Sequence, residues 1–123
     1  MQGNRPEDAG LRFIEAVFAL KDGGAVGEAG EVVWRENGRT IAPFLAMKAS
    51  DPIDCQTLGT VRTPTLVVQG AESFTQFSIM AETVGSCVAN GLTVTMPGVN
   101  HDGPYRKPEQ LAAMIRHFIA LTD

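Results

Sequence analysis

The residue best placed for chemistry is His101, in the loop that follows the apolar run 92–96. An imidazole takes up and releases protons near neutral pH, which suits it to acid–base work. The loop, residues 97–104, holds Gly98 and Gly103, which permit unusual backbone angles on either side of the histidine. If the run is a buried parallel strand, His101 lies at its carboxyl end, where open α/β sheets place their ligands.

The elements that must position this loop are readable in the second half of the chain. A β-branched run at 65–69 predicts one strand and residues 92–96 predict another, with a helix over 74–88 between them. A closing helix begins near Pro108, with apolar residues at helical spacing, namely Leu111, Met114, Ile115, Phe118 and Ile119. A strand, a helix and a strand in this order form a right-handed βαβ unit with a parallel pair.

Two parallel strands do not make a stable sheet by themselves, because parallel sheets are buried on both faces and need further strands. Three explanations stay open. Residues 32–41 add strands, another chain completes the sheet, or this polypeptide is a piece of something larger.

The first half is less decisive. A helix is predicted over residues 6–20, ended by Asp22-Gly23-Gly24. In the stretch that follows, Asn37-Gly38 between apolar segments is a hairpin signal. A helix ending at the same dipeptide, followed by a second helix over residues 43–49, fits the residues equally well.

Composition bounds the class of protein. With 123 residues, 44% hydrophobic and 20% charged, the chain is expected to form one folded domain at most. A net charge of −4 argues against nucleic acid or an anionic membrane as a partner. No apolar run approaches the roughly 20 residues that span a bilayer.

The motifs that are absent from the sequence bear on its cofactors and its compartment. Neither a glycine-rich phosphate loop after a strand nor a metal-ligand cluster is visible, so no cofactor and no metal are expected. Cys55 and Cys87 have neither metal nor redox spacing. We therefore expect reduced thiols and a cytoplasmic location.

Residues 58–121 resemble the carboxyl end of α/β-hydrolase fold enzymes. The resemblance rests on Pro64-Thr65-Leu66 with Gly70, then Pro97-Gly98 with His101, then Pro108-Glu109 opening the last helix. Residues 6–57 look similar to the helical lid that this family inserts, which favours helices over the hairpin. The resemblance implies a helical lid-like segment at 1–57 and, at 58–123, the C-terminal βαβα part of a partial, parallel α/β-hydrolase-like sheet.

The resemblance implies that His101 is the general base. Many family members carry an aspartate in the turn after the penultimate strand, where this chain has Ser73, and a serine cannot orient an imidazolium as a carboxylate does. The adjacent Glu72 is therefore the candidate acid. Asp102 is expected to be a poor orienter, because neighbouring side chains usually diverge.

The family's nucleophile elbow, G-x-S-x-G, does not occur in these 123 residues. Gly85-Ser86-Cys87 is not a substitute, since it falls within a predicted helix. The expected function is thus an esterase-like, C–C-bond or epoxide hydrolase, truncated or split and inactive alone. Its partners would be a small apolar or ester-type substrate and an upstream half-chain. The alternative is a non-catalytic binding or oligomerisation module, expected to be a homo-oligomer.

Overall fold

Helices fill the first part of the chain, and a parallel sheet with its own helices fills the second. A computed structural model describes residues 5–19, 27–48 and 52–122. Contacts divide the chain into two units, residues 1–50 and 51–123. The mixed α/β class expected from the sequence is confirmed.

The first unit is built from short helices around a small core. Leu11, Ile14 and Phe18 are its buried apolar side chains. Arg35 links two helices, because its guanidinium donates to Asp8 and, at 2.8 Å, to Glu31. The described elements are α1 (Asp8–Val17), α2 (Gly27–Asn37), a 3₁₀ turn (Gly38–Thr40) and α3 (Ile41–Ala46).

The hairpin alternative at Asn37-Gly38 is wrong, and the helical alternative is right. Asn37 has φ −87° and ψ −3°, so it lacks the positive φ that a type I′ turn requires. Its Nδ2 instead donates to the carbonyl of Val33 at 2.8 Å, one helical turn back. Local residue preference alone does not separate these outcomes, because Asn-Gly is favoured both in tight hairpins and at helix ends.

The first helix is shorter than the predicted 6–20. It ends at Val17, and Ala19 follows with φ 54°, a left-handed conformation that closes helices. The predicted stop at residues 22–24 lies outside the described residues.

The second unit contains the predicted βαβ unit and closing helix. Its core is small, with Val88, Met96 and Val99 as the buried apolar side chains. The elements are α4 (Cys55–Leu58), β1 (Thr65–Gly70), α5 (Thr75–Cys87), β2 (Gly91–Met96), α6 (Gly103–Arg106) and α7 (Pro108–Thr122).

The sheet has two parallel strands, and β1 has one unpaired edge. The register runs from Thr65 opposite Gly91 to Gly70 opposite Met96. Hydrogen bonds from Thr65 N–H to Asn90 O (3.0 Å) and from Ala71 N–H to Met96 O (2.8 Å) show which residues of β1 bond to β2. Odd-numbered residues of β1 therefore bond to β2, and the even-numbered ones turn their N–H and C=O groups the other way. Within the described ranges, no strand pairs with that other edge.

The expectation of reduced cysteines is wrong, because Cys55 and Cys87 form a disulfide. Their Cα atoms lie 5.0 Å apart, a separation that a disulfide spans easily. The bond ties α4 to the last residue of α5. Spacing along the sequence gave no sign of it, since 32 positions separate the two residues and only the fold brings them together.

The apolar stripe predicted on the last helix is only partly covered. Leu111, Met114 and Phe118 are half-buried, whereas Ile115 and Ile119 are 42% and 49% exposed. None of the helices in the described ranges is long and apolar enough to cross a membrane.

Candidate functional site

His101 lies on the short loop between β2 and α6, at the carboxyl edge of the sheet. Its imidazole stacks on the ring of Phe77, with ring centroids 4.4 Å apart and planes 17° from parallel. Phe77 belongs to the first turn of α5, so the stack joins the histidine loop to that helix. The residue as a whole is exposed, while the stack covers one face of its imidazole with Phe77.

Gly70 lets the turn after β1 approach the histidine loop. A Cβ at this buried position would lie 2.1 Å from the Asn100 carbonyl oxygen and 2.5 Å from that of Val99. The backbone N–H of Glu72 donates to the Val99 oxygen at 2.9 Å. The structure thus brings the stretch that carries Glu72 and the loop that carries His101 to the same edge of the sheet.

The side chains of that turn have different surroundings. Ser73 is half-buried and lines the cavity next to His101, whereas Glu72 is exposed to solvent. The serine therefore occupies the inner position and the carboxylate the outer one.

A cavity of about 420 Å³ runs beside β1 and reaches His101. Its volume lies within the range of small-molecule sites. The walls are mostly apolar, with polar groups at few points, and carry no charged side chain. The lining includes Val67, Val68, Gln69, Gly70, Ser73, Phe77, Met80, Ala81, Val84, Met96, Val99, Asn100, His101, Gly103, Pro104 and Leu111.

Gln69 lines the cavity and has a buried side-chain oxygen. Its Nε2 donates to Thr95 Oγ1 at 3.2 Å. Its Oε1 is buried and, among the described residues, has no hydrogen-bond partner. A buried acceptor without a partner costs free energy.

Asp102 diverges from its neighbour His101, as expected, but it is the more deeply buried of the two at 1% exposure. Its Oδ1 accepts from the Asn100 N–H at 3.2 Å, and its own N–H donates to Asn100 Oδ1 at 3.0 Å. Arg106 Nε lies 3.8 Å from Oδ2. The Asn100/Asp102 spacing and the arginine four residues later were the available sequence signals for this arrangement.

Ser86 and Cys87 are occupied by structural interactions. Ser86 Oγ donates to the carbonyl of Thr83 at 3.0 Å within α5, and Cys87 belongs to the disulfide. For residues 5–19, 27–48 and 52–122, no group of three or more His, Cys, Asp or Glu side chains could hold a metal ion.

The first unit has a cavity of its own, of about 350 Å³. The large apolar residues Trp34, Phe44 and Met47 are not among those that line it. Other residues line the cavity instead, namely Arg5, Pro6, Ala9, Arg12, Phe13, Ile41 and Leu45. Phe44 contacts Phe13 edge to face, with ring centroids 6.0 Å apart.

The site has to be interpreted from its own geometry. No protein-family model, curated protein or solved structure matches the chain.

Proposed function

We propose that this chain supplies the histidine base and part of the substrate cavity of an α/β-hydrolase-type enzyme, either esterase-like or acting on C–C bonds or epoxides. The nucleophile would come from polypeptide outside these 123 residues. The observation that carries the proposal is the position of His101. Its imidazole is held against Phe77 beside a cavity of about 420 Å³, at the carboxyl edge of a parallel sheet.

The chemistry assigned to His101 is proton transfer. A neutral imidazole takes the proton from an attacking hydroxyl or water and returns it to the leaving group. The accessible ring of His101 suits this role, because the nucleophile must approach within hydrogen-bond distance. The apolar walls favour a small apolar or ester-type substrate.

Glu72 is the proposed acid partner, through its place on the turn that is bonded to the histidine loop. Its exposure means that its carboxylate would act from the solvent side. The alternative is that the polypeptide supplying the nucleophile also supplies the carboxylate that orients His101.

The decisive experiment compares the two histidines of the chain. The full chain is co-expressed with, or joined to, the polypeptide encoded directly upstream of it, and ester and epoxide turnover is measured. His101→Ala should lower turnover by at least about 10³-fold, as the loss of a base in a triad does. His117→Ala is the matched control, since His117 is exposed on α7, and should leave turnover unchanged.

Results with the isolated chain also bear on the proposal. The chain alone should show no ester hydrolysis above background and no labelling by a serine-directed fluorophosphonate. Robust labelling of the isolated chain, or equal activity of the two histidine variants, would refute the proposed role.

A second candidate function is a non-catalytic assembly module, and the unpaired edge of β1 favours it. Leu66 and Val68 turn their backbone N–H and C=O groups away from β2, and unpaired edges of this kind recruit another strand. The proposed partner is a second copy of the chain. Two β1 edges in antiparallel orientation are self-complementary about Val68, as a two-fold interface requires.

The compartment belongs to the proposal as well. Disulfides persist in oxidising compartments and are rare in the cytosol. The Cys55–Cys87 bond therefore favours an oxidising location over the cytoplasmic one expected from the sequence.

A further inference from the structure

Asp102 is a charged side chain in a place that ordinarily excludes charge. It is 1% exposed, and in the described part of the chain its Oδ2 has no hydrogen-bond partner. Arg106 Nε, on a half-exposed side chain, is 3.8 Å from this oxygen. Burying a carboxylate with so little compensation costs stability, and an apolar side chain would fill the space without that cost.

The contacts of Asp102 enclose one residue, His101. The Asn100 N–H donates to Asp102 Oδ1 at 3.2 Å, and the Asp102 N–H donates to Asn100 Oδ1 at 3.0 Å. Both bonds bridge from the residue before His101 to the residue after it. On the far side, the Asp102 carbonyl accepts from the Tyr105 and Arg106 N–H groups at 2.9 and 3.0 Å, which fixes the loop to α6.

His101, the residue between Asn100 and Asp102, has its ring stacked on that of Phe77. With Asp102 directed inward, the imidazole of His101 lies outside and stacks on Phe77. We propose that Asp102 is a positioning residue for His101, acting through the backbone of the loop that it closes with Asn100. Its value for catalysis rests on the proposed function of His101 as the base.

Nuclear magnetic resonance of the full chain tests this directly, because two histidines give two Hε1 signals. The face of the Phe77 ring should displace the His101 signal upfield, while His117 serves as the internal reference. Phe77→Leu defines complete loss of that displacement. Asp102→Ala should lose most of the upfield displacement. Asn100→Ala should do the same, because it removes the Oδ1 that accepts from the Asp102 N–H.

The conservative variant separates positioning from simple stabilisation. Asp102→Asn keeps an oxygen that accepts from the Asn100 N–H, so it should retain most of the upfield displacement. Val88→Ala creates a cavity at a buried position next to the end of α5 and should lower stability without moving the His101 signal.

Three results would overturn the proposal: an undisturbed signal in both Asp102→Ala and Asn100→Ala, an equal loss in Asp102→Asn and Asp102→Ala, or an equal loss in Val88→Ala. The signal is recorded without any turnover. A failure of the histidine comparison in the activity assay therefore leaves this result standing, and the two proposals fail separately.

Discussion

Gly70 shows how a single hydrogen in place of a methyl group shapes the candidate site. The backbone of the histidine loop lies directly over this residue, and both nearest atoms are carbonyl oxygens of that loop. Backbone atoms cannot move aside as the end of a flexible side chain can. A larger residue must therefore push the loop away from β1 or shift the strand.

We predict that Gly70→Ala destabilises the fold by about 1–3 kcal/mol, the usual cost of overpacking a filled interior. Gly103→Ala is the matched control, because Gly103 is also buried and its Cβ would meet Met96 and Val99 side-chain atoms at 3.4 Å, an ordinary contact distance. Urea unfolding of the two variants gives the comparison. Equal stability of Gly70→Ala and the unmodified chain would show that the loop does not pack on β1 as described.

For individual residues, the sequence predicted where a residue lies in the fold better than it predicted which side chains surround it. His101 could be located from the strand before it and the glycines around it. The stack on Phe77 could not be predicted, because an apolar residue in the predicted helix over 74–88 is equally consistent with a core position. The burial of Asp102 is also invisible locally, since it depends on the turn that pairs it with Asn100 and Arg106.

At the scale of elements, the short helix α4 is secured at its N-terminal end by two interactions. Asp54 caps its start by accepting from the Thr57 N–H at 2.7 Å, and hydrogen bonds from the Thr57 side chain and then its backbone lower the pKa of Asp54. Cys55 ties the same turn to α5 through the disulfide. A helix of four residues needs such partners, because isolated helices of this length do not form in water.

We predict that reducing this disulfide lowers the free energy of unfolding by about 3–4 kcal/mol, the chain-entropy value for a loop of this length. The measurement is urea unfolding with and without dithiothreitol, alongside a count of free thiols. The double variant Cys55→Ser/Cys87→Ser should be insensitive to the reductant. Two free thiols in the untreated, air-oxidised chain would contradict the bond.

Elements were predictable in proportion to the strength of their periodic pattern. The β1, α5, β2 and α7 segments have clear apolar spacing, and the structure places each within a few residues of the prediction. The stretch around Asn37-Gly38 fits a hairpin and a pair of helices equally well by its local sequence, and the structure has the helices. The one-turn helix α6 was not predicted, because it depends on Asp102 accepting its first backbone bonds rather than on any apolar repeat.

For the whole molecule, the shortage of strands is the feature that most needs an explanation. A parallel strand buried on both faces normally has neighbours on both edges. Residues 65–69 of β1 are instead only half-buried, and the cavity of about 420 Å³ runs along this strand. The sequence already indicated this shortage. In the described sheet β2 has one outer edge, and Leu66 and Val68 lie along the other, that of β1.

We predict that the isolated chain forms dimers or larger species through this edge. Val68→Pro removes one outward N–H without breaking a bond to β2, and proline is tolerated on edge strands, so this variant should fold and be monomeric. Val67→Pro is the contrasting variant. It removes a bond within the sheet and should destabilise the fold itself. Light scattering over a range of concentrations, with circular dichroism for folding, distinguishes the two. An unmodified chain that stays monomeric at every concentration and unfolds cooperatively would rule out self-pairing through this edge.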